Sequence, residues 1–212
     1  MICVAIIESS LNVLLAELAG VAFAEVRMEQ LKPSLDEVGQ IFSLPGRFIA
    51  TMRPGTVSDE ERARVLVAAV EAGAAYVDVE IESPKWFKDQ VIQATRGTAC
   101  EAIVSFHDFD GTPDKARLDE IVAACFEDGA DVAKVACLAR TVQDSARILS
   151  LLDADRPVIA LGMGAAGKIT RIAAPLLGAP FTFASRSEGQ ETAEGQLDVA
   201  TLSTLLETIQ SS

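Results

Sequence analysis

Eight short apolar runs recur along the chain, most followed by a stretch of helical spacing, and this alternation leaves few folds open. The runs cover residues 2–7, 22–28, 47–52, 75–81, 102–106, 131–137, 157–161 and 180–184. Helical patterns fill 59–72, 113–128, 141–153, 168–177 and 197–209. The runs are apolar without clean alternation, as expected of parallel strands covered on both faces. Gly73, Gly129 and Gly178 fall where helices should stop, consistent with C-terminal capping. Eight strand–helix units with no long linker predict an α/β chain forming a single domain over 1–212, a closed (βα)8 TIM barrel. The alternative is an open doubly wound sheet, which would call for a GxGxxG turn after its first strand. That turn is missing.

Composition narrows the function. Half of the 212 residues are hydrophobic, enough for a large core, and the formal net charge is −13. Such a balance argues against nucleic acid and against an anionic membrane surface as partners. An anionic substrate would need a locally basic pocket. Cys3, Cys100, Cys125 and Cys137 form no CxxC pair, and with His107 the only histidine they make no convincing zinc set. Reduced thiols in a cytoplasmic protein are the expectation. No cleavable leader or membrane-length apolar run is read in the sequence.

Against this background Lys134 and His107 stand out. Lys134 lies inside the apolar run Asp131-Val132-Ala133-Lys134-Val135-Ala136-Cys137, and His107 inside Ser105-Phe106-His107-Asp108-Phe109. A lysine in a buried strand is costly unless neutral or paired. A neutral amine on a rigid strand suits Schiff-base chemistry, and an imidazole one strand away could carry protons at neutral pH. In a barrel, catalytic groups belong at strand C-terminal ends. Glu25 and Arg27 end the second run, Arg53 follows the third, Asp78 and Glu80 lie on the fourth, and Met163 follows the seventh. Residues two apart on a strand share a face, so Glu25 goes with Arg27 and Asp78 with Glu80.

Each residue also has a plainer reading. His107 could be a hydrogen-bonded structural residue, Lys134 a rim residue whose stem snorkels outward, and Glu25 with Arg27 an ion pair. Asp78 and Glu80 could cap loops at the barrel base, and Arg171 could be a solvated helix residue. Gly162-Met163-Gly164 with Gly167-Lys168 suggests a phosphate loop only weakly, since the spacing is not GxxxxGK[ST].

Taken together, in order and spacing, these segments resemble type I 3-dehydroquinate dehydratase, the Schiff-base (βα)8 enzyme of the shikimate pathway. The resemblance runs from Glu25 to Gln196. It rests on Glu25-Val26-Arg27, Phe48 to Arg53, Tyr76-Val77-Asp78-Val79-Glu80, the segment around His107 with Thr112-Pro113, and Lys134 at the matching distance downstream. Met163-Gly164, Gly167-Lys168-Ile169, Arg171, Phe181-Thr182-Phe183 and Thr192-Ala193-Glu194-Gly195-Gln196 complete it. The resemblance implies dehydration of 3-dehydroquinate to 3-dehydroshikimate without a cofactor. Lys134 would form the imine and His107 would act as general acid and base. Arg171 would bind the substrate carboxylate, with Thr192 and Gln196 closing over it. Glu25, Arg27 and Arg53 would contact ring hydroxyls, with Glu80 and Met163 supporting. Nearby arginines and desolvation are expected to lower the lysine's pKa.

The departures from the family pattern are specific. Val57 stands where many members carry a glutamate that orients the histidine, which leaves Glu80 as the candidate for that task. Thr192 and Thr170 replace serines and keep the hydroxyl; Glu194 replaces a proline, which predicts a more mobile loop. The first strand starts almost at Met1, so the hairpin that closes the barrel base in many relatives is expected to be absent, as in a short form of the family. A homodimer is allowed but not specified. Two other classes stay open: another Schiff-base barrel of the aldolase or transaldolase type, and a non-catalytic relative.

Overall fold

The computed structural model describes residues 1–211. Eight parallel strands form a nearly closed barrel: β1 Ile2–Ile7, β2 Phe23–Arg27, β3 Arg47–Thr51, β4 Tyr76–Glu80, β5 Glu101–Asp108, β6 Val132–Leu138, β7 Val158–Met163 and β8 Thr182–Ser185. Helices alternate with them: α1 Leu11–Leu18, α2 Leu35–Phe42, α3 Asp59–Glu71, α4 Lys85–Thr95, α5 Lys115–Glu127, α6 Val142–Leu149, α7 Gly164–Ala173 and α8 Val199–Gln210. The ladder runs in the order β7-β6-β5-β4-β3-β2-β1-β8. Expected and observed runs agree to within a few residues. The largest shifts are four residues and include the end of α6, which stops at Leu149 before a 3-10 turn over Ser150–Leu152, and the start of α7, which begins at Gly164 directly after β7. Strand β5 extends two residues further than expected, through His107 to Asp108.

Strand parity sorts the side chains into two environments. Val26, Ala50, Val77, Val79, Val104, Ala133 and Val135 face the helices and are buried with Val65, Leu66, Val91 and Leu118 in the outer core. The opposite faces line the barrel interior. Its lower layers hold Cys3, Phe23, Ile49, Tyr76, Ile103, Val132, Ile159 and Phe181. Phe181 meets Phe23 edge-on at 4.8 Å and Tyr76 at 5.4 Å. Arg47 lies over the Phe23 and Tyr76 rings at 5.4 and 5.3 Å and donates to the Tyr76 hydroxyl at 2.6 Å. Cation–π contact and aromatic packing thus fill the base of the barrel.

Helix starts are fixed locally. Ser34 with Glu37 and Thr141 with Asp144 form capping boxes, while Ser58, Asp114 and Asp198 accept from backbone N–H groups of the first turn. Gly73 and Gly129 follow helix ends with φ near +100°, and Gly178 has φ +109°, the left-handed geometry that favours glycine.

The glycine-rich stretch at β7–α7 serves close packing rather than a phosphate loop. A methyl on Gly167 would lie 2.3 Å from the Gly162 carbonyl carbon, and one on Gly162 would lie 2.7 Å from Gly167 Cα. Thr170 ties the same turn: its hydroxyl accepts from Gly162 N and donates to Gly167 O, each at 2.7 Å. Gly167→Ala is expected to lower the thermal midpoint, at a cost of about 1–3 kcal/mol for overpacking. Gly39→Ala, inside α2 with nothing within 4 Å, is expected to raise it by about 0.5–1 kcal/mol through helix propensity. Equal effects of the two substitutions in thermal denaturation would contradict this packing.

Candidate active site

The upper inward positions carry charge where the lower ones carry rings. Glu25 and Arg27 on β2, Asp78 and Glu80 on β4, Ser105 and His107 on β5, and Lys134 on β6 all share the inward parity of their strands. Above them opens a cavity of about 470 Å³. Every residue to which the family resemblance assigns a role lines it: Glu25, Arg27, Arg53, Glu80, His107, Lys134, Met163, Arg171, Thr192 and Gln196. Asp78, the other carboxylate read on the fourth run, is buried outside the lining. Met163 is the last residue of β7 rather than beyond it.

Lys134 lies at the cavity floor, 4 % exposed. Its Nζ donates to Asp78 Oδ2 at 2.7 Å and Glu25 Oε1 at 3.4 Å, and lies 4.5 Å from the Phe183 ring centroid. Burial pulls its pKa down, but Asp78 and Glu25 outweigh burial and the net shift is upward. The expected lowering is therefore corrected: two carboxylates face this amine more closely than any arginine does, and in the free protein it is an ammonium. Asp78, also buried, is held well below the usual carboxylate range: burial opposes ionisation, but Lys134, Arg53 and His107 outweigh it. Asp78 also accepts from Ser105 Oγ at 2.5 Å. It is not a cap at the barrel base but the main partner of the lysine, a role that its parity with Glu80 could have indicated.

His107 meets a cation instead of a carboxylate. Arg53 Nη1 lies 3.1 Å from His107 Nδ1, and Arg53 Nη2 lies 2.8 Å from Nε2. A neutral imidazole offers a lone pair on only one nitrogen, so only one of these contacts is a full hydrogen bond at a time. Burial first, then Arg53 and Lys134, push the His107 pKa well below its ordinary value. The ring is neutral at physiological pH. Glu80 does not reach His107, which corrects the expectation from Val57. Its oxygens accept instead from Arg53 Nη1 at 3.0 Å and Arg62 Nη2 at 2.7 Å. Glu25 does not pair with Arg27 either: it accepts from Thr51 Oγ1 at 3.1 Å, while Arg27 pairs with Glu29 at 2.5–2.8 Å.

Arg171 has no carboxylate partner among the described residues. It is 2 % exposed, and its Nη1 donates to the Phe183 carbonyl at 3.4 Å. Its Nε is buried without a hydrogen-bond partner, and burial lowers its pKa to about 10, leaving it cationic at neutral pH. Beside it Gln196 Oε1 accepts from Thr192 N at 2.7 Å and Thr192 Oγ1 at 3.2 Å, which turns the amide's donor end elsewhere. The 192–196 loop is docked onto α7, with Gly164 N donating to Glu194 O at 3.1 Å. A methyl on Gly195, where φ is +74°, would lie 2.4 Å from Gly164 O. Glu194 thus joins the dock through its backbone, whatever its side chain. No group of three or more His, Cys, Asp and Glu among the described residues is placed to hold a metal ion.

A family model for type I 3-dehydroquinase matches residues 2–212. The chain belongs to the type I 3-dehydroquinase family. It is similar to the 3-dehydroquinate dehydratase of Syntrophobacter fumaroxidans, 36% identical over 211 residues, covering 91% of this chain and 88% of that one. It is also similar to the 3-dehydroquinate dehydratase of Dehalococcoides mccartyi, 33% identical over 189 residues, covering 85% and 83%. Its fold is similar to the 3-dehydroquinate dehydratase of Geobacillus kaustophilus, with TM-score 0.86 and 25% identity over 99% of this chain and 91% of that one.

A buried cation without a carboxylate partner should destabilise the protein. Arg171→Met is expected to raise the thermal midpoint without ligand, by about 1–3 kcal/mol as for apolar replacement of buried charge, while abolishing stabilisation by an anionic ligand. A drop in midpoint of similar size would mean that Arg171 is already satisfied.

Proposed function

We propose that this barrel dehydrates 3-dehydroquinate to 3-dehydroshikimate through a Schiff base on Lys134. The observation that carries the reading is the meeting, in one cavity, of a buried lysine, a neutral histidine and a buried arginine whose Nε has no partner. A substrate with one carboxylate, one ketone and several hydroxyls matches that set. Its carboxylate would give Arg171 the bidentate partner it lacks, an arrangement suited to the guanidinium fork. Arg27, Arg53, Glu25, Thr192 and Gln196 would fix the hydroxyls, and Met163 would pack the ring.

Covalent chemistry starts when Lys134 gives up a proton, with Asp78 at 2.7 Å and Glu25 at 3.4 Å as the nearest acceptors. The amine adds to the C3 ketone, and the carbinolamine hydroxyl takes the proton that Lys134 gave up and leaves as water, forming a protonated imine. Asp78 and Glu25 then stabilise that cation as they stabilised the ammonium, so the imine keeps its proton and acts as an electron sink. His107 removes the C2 proton, giving an enamine. The enamine expels the C1 oxygen, which His107 protonates as it leaves as water. Hydrolysis of the conjugated imine releases product and restores the lysine. A low His107 pKa favours this order, because the ring stays unprotonated, and able to act as base, well below pH 6.5.

We read this barrel as a cytoplasmic enzyme acting on a small anion, since a net charge of −13 disfavours nucleic acid and an anionic membrane surface as partners. The four cysteines are free and buried, and no helix among the described residues is long and apolar enough to cross a membrane.

Adding dehydroquinate and following enone absorbance tests the activity, and borohydride reduction with peptide mapping tests the imine. Label is expected on Lys134; label on Lys168, or none with active enzyme, would remove the Schiff-base assignment. Lys134→Ala should abolish both turnover and adduct. His107→Ala should lose about 10²–10⁴-fold in turnover and accumulate a covalent intermediate seen in intact mass without reductant. A folded His107→Ala protein with normal turnover would instead make His107 structural.

A further inference from the structure

Arg62 touches neither the cavity nor any group assigned a step, yet it is one of the most deeply buried side chains, 1 % exposed. It lies on α3, behind the barrel wall. Its Nε donates to the Met52 carbonyl at 2.9 Å, Nη1 to Asp59 at 2.7 Å and Nη2 to Glu80 Oε2 at 2.7 Å. The guanidinium also stacks over Phe87, 4.5 Å from the ring centroid. Three acceptors and a ring leave it one orientation. Glu80 spends its other oxygen, Oε1, on Arg53, and Arg53 spans the two ring nitrogens of His107. Among the described residues, the hydrogen-bond partner of His107 is Arg53.

We infer that Arg62 is a positioning residue for His107, acting through Glu80 and Arg53, so that a chain of alternating charge sets the base of this enzyme. The inference rests on the reading of His107 as the base. Arg62 fixes Glu80, because a carboxylate held on one oxygen by an immobile guanidinium cannot follow the other partner. Glu80 then fixes where the Arg53 fork lies. Arg53 sits beside the imidazole and opposes a second proton on the ring, since a guanidinium can only donate. When a substrate hydroxyl takes over one of the Arg53 N–H groups, the ring lone pair is released toward substrate, and the clamped Glu80 keeps the guanidinium in place.

The chain also sets the charge near the ring. Facing His107 are Arg27 from β2, Arg53 beyond β3, Asp78 and Glu80 from β4 and Lys134 from β6, with Glu82 and Arg171 on the same cavity. Arg62 neutralises Glu80 from behind, leaving Arg53 as a net cation against the imidazole. Removing Arg62 therefore exposes Glu80's charge to the ring and favours its protonation.

The test compares wild type, Arg62→Met and Arg62→Lys by thermal midpoint, kcat, KM, the acid limb of kcat/KM and borohydride trapping. In folded Arg62→Met protein, kcat should fall about tenfold to a hundredfold, the scale of a small misplacement of a reacting group. KM should stay within about threefold, trapping at Lys134 should persist, and the acid limb should move up toward pH 6.5. Arg62→Lys keeps the cation but cannot fork across Met52 O, Asp59 and Glu80. Its kcat should lie between the two, still several-fold below wild type, with the acid limb unmoved. If Arg62→Met does not fold, the lysine variant alone decides. Wild-type kcat per folded molecule in either variant, with only the midpoint lowered, would make Arg62 structural and overturn the inference. Wild-type protein with neither turnover nor adduct would sink the underlying reading, and this inference with it.

Discussion

A charged lysine in the middle of a barrel is the constraint on which the rest depends. Removing an ammonium from water is expensive, and the cost is tolerable only if opposite charge is buried with it. Asp78 and Glu25 supply that charge from two other strands, so β2, β4 and β6 must keep their relative register to hold the group. Ser105 and Thr51 satisfy the carboxylates in turn. These polar groups, with the Phe183 ring against the amine, lie between an aromatic floor and an open cavity. In the proposed reaction the same two carboxylates would suit the nitrogen before and after it bonds to carbon, because in both states it would carry a positive charge.

The site also presents a buried guanidinium of a kind suited to an anion. Arg171 is held without a counter-ion by the turn from β7 into α7, and that turn exists because Gly162 and Gly167 let strand and helix touch. Gly195 lets the 192–196 loop lie against the same helix start. Stability is given up at Arg171, since an unpaired buried charge favours the unfolded chain until a ligand balances it. This is the usual exchange between stability and binding at a functional site.

Much of this could be read from the sequence, for identifiable reasons. Strand periodicity is two, so once the eight runs are located the inward residues follow, and Glu25, Glu80, His107 and Lys134 fall on one surface. Other features depend on distances between elements that no local pattern encodes. The sign of the Lys134 shift turned on whether carboxylates or arginines sit nearer to Nζ, and the carboxylates do. The partner of His107 depended on where the Arg53 fork lies in space, beside both ring nitrogens. Arg62 did leave a trace: with Val65, Leu66 and Ala69 it forms the buried stripe of α3, where an arginine is out of place unless it has partners inside.

The ionisation of Lys134 tests the account most directly. Selective nitrogen labelling of lysine and an NMR titration of Nζ, with Lys134→Ala to assign the signal, would report it in the unliganded protein. Desolvation alone would make the amine neutral near pH 7; the carboxylate pair predicts an ammonium that persists beyond the ordinary lysine pKa of about 10.4. A neutral Lys134 at pH 7, or a titration unchanged in Asp78→Asn, would contradict a barrel organised around this ion pair.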